Sequence, residues 1–268
     1  NIGNFVELKK TGKIWAIGSI HSNLNSFNSI KKFILKNFNH NDKLIFLGNI
    51  IGLGDNSKET LSSAIDLRFN LMSKFKLKPE SIIFLRGAQE EMFSKLLQLQ
   101  LAPNPKEIVE WVFDHGVNKT IDSYGFNEDE VKNIASSGTL KISKWTSLLT
   151  KALQMNSGHT EYFLNLKHAA YSSTKKILFV NRGVDITRPL SAQNDCFWWG
   201  FQNFSKIKEP YKTFLRIVRG YESEHLNQIE FSNNNVVCTL FKQPLSNKNI
   251  LFGIFGENGE ILDLFENF

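Results

Sequence analysis

The sequence predicts a mixed α/β (α+β) fold, a two-sheet β-sandwich flanked by helices and carrying a helical insertion, within one domain spanning residues 1–268. Three observations predict it. Apolar, β-branched runs at 13–17, 43–47 and 81–85 each lead into a glycine-bearing loop and then a helical pattern, the signature of β-loop-α units. Pro103 and Pro105 then break the pattern, and residues 103–157 carry short helical segments. After Tyr221, apolar alternation is punctuated by turn residues, as in antiparallel β structure.

The elements follow in order. Helices are expected to begin near Asn23, Asn56 and Gln89, and Phe27, Ile30, Phe33 and Ile34 give the first an apolar stripe at helical spacing. In the insertion, Asn127-Glu128-Asp129-Glu130 reads as an acidic first turn and Ser137-Gly138 as a stop. Strands resume at 160–166 and 175–180. Further strands are expected around 227–231, 236–241, 250–255 and 261–265, separated by Ser232-Asn233-Asn234-Asn235 and Glu257-Asn258-Gly259. There is no internal repeat and no low-complexity linker.

Composition narrows the partners. A chain of 268 residues with 41% hydrophobic content and 23 phenylalanines can bury a substantial core. No run approaches the roughly 18 apolar residues of a membrane span, so no membrane partner is expected. The first ten residues lack an apolar stretch with a small-residue cleavage site, and Cys196 and Cys238 make no disulfide framework, so a cytoplasmic setting is expected. A net charge of +6 permits an acidic partner. The lysines fall singly or in pairs (Lys9-Lys10, Lys31-Lys32, Lys175-Lys176) without a basic block, so nucleic acid is not the expected one.

The chemistry-bearing candidates lie in four loops: Gly18-Ser19-Ile20-His21-Ser22-Asn23, Gly48-Asn49-Ile50-Ile51-Gly52-Leu53-Gly54, Arg86-Gly87-Ala88-Gln89-Glu90 and Val180-Asn181-Arg182-Gly183. The first three follow predicted strands at their carboxyl ends, where α/β sheets place ligands. In order and spacing the loops resemble the motifs G-D-x-H-G, G-D-x-x-D-R-G, G-N-H-E and H-A-G of the calcineurin-like metallophosphoesterases. The resemblance is to the bacterial and lambda-type serine/threonine protein phosphatase branch and covers most of the chain. Leu44-Ile45-Phe46-Leu47-Gly48-Asn49 looks like that branch's L-I-F-L-G-D, and Phe179-Val180-Asn181-Arg182-Gly183, with Pro189-Leu190 and Gln193 beyond, looks like F-V-H-A-G…P-L…Q.

The resemblance implies a two-metal hydrolase, and the residues depart from it. Bridging two dications takes carboxylates, with imidazoles completing the shell. At the family's ligand positions this chain has Ser19, His21, Asn49, Ala88, Asn181 and Tyr221, of which His21 alone matches. The leaving-group acid is Gln89, an amide that cannot protonate a leaving group near neutral pH, and the phosphate-gripping arginine is Leu53. His40, His115, His159, His168 and His225 show no paired metal-ligand spacing, so no metal cofactor is expected; an active form would use manganese or another divalent ion.

Other residues offer less. Arg182 replaces a small residue beside a lost ligand, and with Arg86 and Arg219 it forms a candidate anion-binding group; the plainer role of these arginines is ion pairing or surface cover. Glu90 reads as a loop support, Trp198-Trp199 as core or cleft wall, and Asp185 and His168 have no visible nucleophile partner. The expected function is that of a catalytically inactive metallophosphoesterase homologue, a pseudophosphatase that binds a protein or a phosphorylated or other anionic ligand. The alternatives are an active phosphatase-like phosphoesterase with a remodelled or mononuclear site, and a structural scaffold.

Overall fold

A computed structural model of the chain describes residues 2–9, 11–200, 204, 207–221, 236–241 and 250–266. Two five-stranded sheets form its centre. In one, β2 (Ile14–Ile17), β3 (Lys43–Phe46) and β4 (Ile82–Phe84) run parallel, and β9 (Phe252–Phe255) joins β2 antiparallel with β10 (Ile261–Phe265) outside it. The other has the order β1 (Phe5–Leu8), β5 (Ala169–Ser172), β6 (Ile177–Val180), β7 (Arg216–Arg219), β8 (Val237–Thr239).

Side-chain alternation along the strands builds the layers. Ile14, Ala16, Ile45, Leu47 and Ile83 meet Ala170, Ile177, Phe179 and Val218 between the sheets. Their neighbours Trp15, Ile17, Leu44, Phe46 and Phe84 point the other way, into helices α1 (Leu24–Asn37), α2 (Ser57–Phe75) and α3 (Ala88–Leu97). Leu178, Val180 and Ile217 are covered by α9 (Cys196–Trp199) with Phe204, Tyr211 and Phe214. Strands covered on both faces read as unbroken apolar runs rather than as alternation, which is how 13–17, 43–47 and 81–85 appear in the sequence.

Between α3 and β5 lie α4 (Pro105–Asp114), α5 (Val117–Ser123), α6 (Glu128–Ala135), α7 (Thr139–Gln154) and α8 (His159–Asn165). The expected acidic turn is realised: Asn127 caps α6 by accepting the Glu130 amide hydrogen.

Three expectations are corrected. Residues 160–166 are helical rather than extended. His159, Tyr162 and Phe163 are the buried residues of α8, a three- and four-residue spacing that a short aromatic run disguises as a strand. The strands before β6 are β5 and, at the start of the chain, β1, which the sequence reading missed. Beyond Tyr221 the structure is not uniformly antiparallel, because β8 pairs parallel with β7, Ile217 opposite Val237. The strand expected at 227–231, the turn after it and His225 lie outside the described residues. Among the described residues no helix is long and apolar enough to cross a membrane.

Candidate functional site

The loops after β2, β3, β4, β6 and β7 meet at one end of the sandwich. Ser19 donates its amide hydrogen to the Gly220 carbonyl at 3.0 Å, and Ile20 and His21 donate theirs to the Asn49 carbonyl at 3.0 and 2.9 Å. Glu90 ties the second loop to the third. Its carboxylate accepts from the amides of Asn49 (2.8 Å), Ile50 (2.8 Å) and Gly87 (3.0 Å) and from the Tyr162 hydroxyl (3.1 Å). Gly87 is the N-cap of α3 and Glu90 its third residue, so one side chain caps its own helix and clamps a neighbouring loop. Burial pushes the Glu90 carboxyl up, and these hydrogen bonds oppose that shift.

The backbone of these loops is unusual. His21, Ser22, Asn49 and Leu53 all have left-handed φ, between 47° and 61°. Each costs roughly 1 kcal/mol or more for a side-chain-bearing residue and persists only where its surroundings enforce it. Gly52, at φ 88°, is required as glycine, because a Cβ there would stand 2.0 Å from Gln89 Oε1.

Several polar side chains of the site are bonded to the protein itself, while Gln89 Oε1 and Asn181 Oδ1 have no partner among the described residues. Asn49 donates from Nδ2 to Ser19 Oγ at 3.1 Å and accepts at Oδ1 from the Gln89 amide at 3.0 Å. Asn181 donates to the Leu47 carbonyl at 2.6 Å, and Gln89 Nε2 donates to the His115 carbonyl at 2.8 Å. Ala88, the first residue of α3, brings a methyl group, and Leu53 packs against Gly116. Ser22 Oγ lies 2.7 Å from Ser57 Oγ, which lies 3.1 Å from Thr120 Oγ1, a buried hydroxyl chain from the first loop to α5.

His21 is buried against aromatic rings, edge-on to Tyr221 (centroids 5.5 Å) and Phe241 (6.1 Å). Burial pushes its pKa down to about 4, and the nearby Ile51 backbone opposes the shift without meeting hydrogen-bond geometry. Neither ring nitrogen has a hydrogen-bond partner among the described residues.

The three arginines diverge in role. Arg182 is half-buried, its guanidinium 5.6 Å from the Tyr221 ring centroid. Arg219 is buried, donating to Thr239 Oγ1 at 2.8 Å and to the Arg182 carbonyl at 3.3 Å, above the Phe204 ring. Arg86 is paired with Glu91 at 2.6 Å and lies over Trp198, which is core as expected. Asp185 holds its own turn through Thr187 and Arg188, and His168 packs among Phe5, Phe197 and Trp198.

Solved structures share this fold. A protein assigned as a diadenosine tetraphosphatase matches at 13% identity, over 99% of this chain and 98% of that one, with a TM-score of 0.57. A serine/threonine protein phosphatase from Saccharomyces cerevisiae, with similarity to human phosphatase PP5, matches at 18% identity over 98% of this chain and 82% of that one, with a TM-score of 0.50. The fold is metallophosphoesterase-like. No family model matches the sequence. No curated protein matches it.

The loop-motif resemblance implies a binuclear centre at this cluster, and the described residues do not fit one. Two adjacent dications need anionic bridging oxygens. At the family's ligand positions the described residues offer neutral amides, a hydroxyl, a phenol and one imidazole, and both ends of the Asn49 carboxamide are engaged by Ser19 and Gln89. Among the described residues, no three His, Cys, Asp or Glu side chains gather as a metal-binding group. Glu90, the acid within these loops, is spent on backbone amides.

The loop-supporting role expected for Glu90 is realised in its bonds to Asn49, Ile50 and Gly87, and the capping spacing from Gly87 to Glu90 carries its signal. Tyr162 and Phe241 had none: the first lay in a presumed strand, and the second reaches His21 only through the chain's return to the sheet edge.

Proposed function

We propose that this chain is a pseudophosphatase: a phosphatase-fold protein that binds a protein, a phosphorylated small molecule or another anionic ligand beside Arg182 and does not hydrolyse it. The observation that carries this reading is Asn49. It stands where the resemblance puts a bridging carboxylate, and its amide is held at both ends by Ser19 and Gln89. Arg86 is already paired to Glu91, and Arg182 and Arg219 bring two further guanidinium groups to the loop cluster. The Arg182 guanidinium lies over the Tyr221 ring, and a guanidinium can pair bidentately with a phosphate or carboxylate.

A second reading, a weak phosphoesterase using one divalent ion such as manganese at His21, draws on ring nitrogens that have no hydrogen-bond partner among the described residues. Elemental analysis after incubation with manganese or zinc, with assays on aryl phosphates and phosphopeptides, separates the two. The expected result is no stoichiometric metal pair and no rate above that of His21→Ala; a manganese-dependent rate abolished in that variant favours the second reading. Titration with inorganic phosphate should show binding that weakens with salt and is lost in Arg182→Ala. Absence of anion binding in the unsubstituted chain leaves the scaffold reading.

A further inference from the structure

Helix α7 buries one face, through Ile142, Trp145, Leu149 and Leu153, and turns another to solvent. The solvent face carries Leu140, Lys141, Lys144, Leu148 and Lys151, with Met155 at the C-cap. Leu140 and Met155 keep 85% and 81% of their surface exposed, and Leu148 keeps 51%. These three apolar side chains share one exposed face of the helix with its lysines.

The charges on this face are as informative as the leucines. All charged residues of α7 are lysines, and none forms a salt bridge among the described residues. The neighbouring helices behave differently: Lys95 pairs with Glu91 on α3, Lys106 with Glu110 on α4 and Lys132 with Glu128 on α6, each one turn apart. One turn before and after Lys144 stand Leu140 and Leu148, and one turn after Lys151 stands Met155. At about 100° per residue, Lys144 and Lys151 lie within about 20° of each other near the middle of the face, with the apolar residues on either side.

This arrangement selects among occupants. A helix that lies in a membrane interface inserts an apolar centre and keeps its cations at the rim, where they reach headgroups. Here the cations are central, and inserting Leu140 and Leu148 would drag Lys144 into the acyl region. A partner helix has no such difficulty, because its own acidic side chains can meet the central lysines while its apolar ones cover the flanks. We propose that the outer face of α7 docks an acidic amphipathic helix of a partner protein. The surface is separate from the loop cluster, and the proposal does not depend on what Arg182 binds.

The test uses the full chain and two labelled synthetic peptides, one a helix carrying Leu and Glu on a single face and the other a scramble of the same composition, followed by fluorescence anisotropy. The expected result is binding of the helical peptide that weakens with salt, falls roughly ten-fold or more in the Lys144→Glu, Lys151→Glu double variant, and stays unchanged in Arg182→Ala. A peptide with Lys in place of Glu should bind the double variant better than it binds the original chain. Circular dichroism confirms that the variants, altered only at exposed positions, remain folded. Equal binding of scramble and helix, no binding of either, or indifference to charge reversal overturns the proposal. Binding to phosphatidylserine vesicles without peptide binding also overturns it and assigns the face to a lipid surface.

Discussion

The Glu90 carboxylate receives the Asn49 amide hydrogen at 2.8 Å, joining two loops 41 residues apart in the chain. The same carboxylate holds Ile50 and Gly87 and is reached by the Tyr162 hydroxyl, so four donors depend on one buried acid. Glu90→Ala should therefore cost about 3 kcal/mol or more, since buried amides stripped of an acceptor bear their full desolvation penalty. Glu90→Gln, which keeps one acceptor oxygen, should cost less. Urea denaturation measures both, and a Glu90→Ala midpoint equal to that of the unsubstituted chain would show that the clamp contributes nothing.

Restoring anionic ligands should restore metal affinity. The Ser19→Asp, Asn49→Asp double variant places two carboxylates beside His21, in loops whose backbone is already held to Gly220 directly and to Gly87 through the shared Glu90 carboxylate. Its thermal midpoint should rise with added manganese while that of the unsubstituted chain does not move. Manganese-dependent stabilisation of the unsubstituted chain, lost in His21→Ala, would instead support the mononuclear reading.

Gly52→Ala should destabilise the fold by roughly 1–3 kcal/mol, combining a left-handed backbone with a collision against the buried Gln89 amide. The same change should dislodge Gln89 from the His115 carbonyl. Calorimetric melting detects the first effect, and a midpoint unchanged from the original would refute it.

His159 sets a pH dependence. It is buried between Tyr124, whose hydroxyl lies 2.5 Å from Nδ1, and Ser62, whose Oγ lies 2.9 Å from Nε2. Burial, assisted by the charge of Lys58, pushes its pKa down to about 4. The unfolded chain, with a histidine pKa near 6.5, binds this proton more readily, so the contribution is complete above about 6.5 and is lost as pH falls from there toward 4. The full loss amounts to about 3 kcal/mol. Stability measured across that window should fall more steeply in the unsubstituted chain than in His159→Gln; parallel curves would contradict the shift.

Much of the fold was legible because its signals are local. The runs at 13–17, 43–47 and 81–85 became β2, β3 and β4, and the caps at Asn23, Asn56 and Asn127 became helix starts. Residues 160–166 misled because an aromatic-rich heptad satisfies a strand pattern as well as a helical one, and only the packing of Tyr162 and Phe163 against the core decides between them. The parallel pairing of β8 with β7 is likewise a property of the chain's return path, which periodicity does not encode.

The sequence by itself determined which residue types stand at the positions where the resemblance puts metal ligands: Ser19, His21, Asn49, Ala88, Asn181 and Tyr221, with no carboxylate among them, because donor chemistry is a property of residue type. Only the tertiary structure decided how those atoms are used. It engaged Asn49 with Ser19 and Gln89, pressed His21 among aromatic rings, neutralised Arg86 with Glu91, and left Arg182 over Tyr221. Except for the Arg86 pair, these partners lie some 30 to 200 residues apart in the chain. Their choice follows from how two sheets and their return strands bring the loop ends together, a long-range constraint that no local pattern carries.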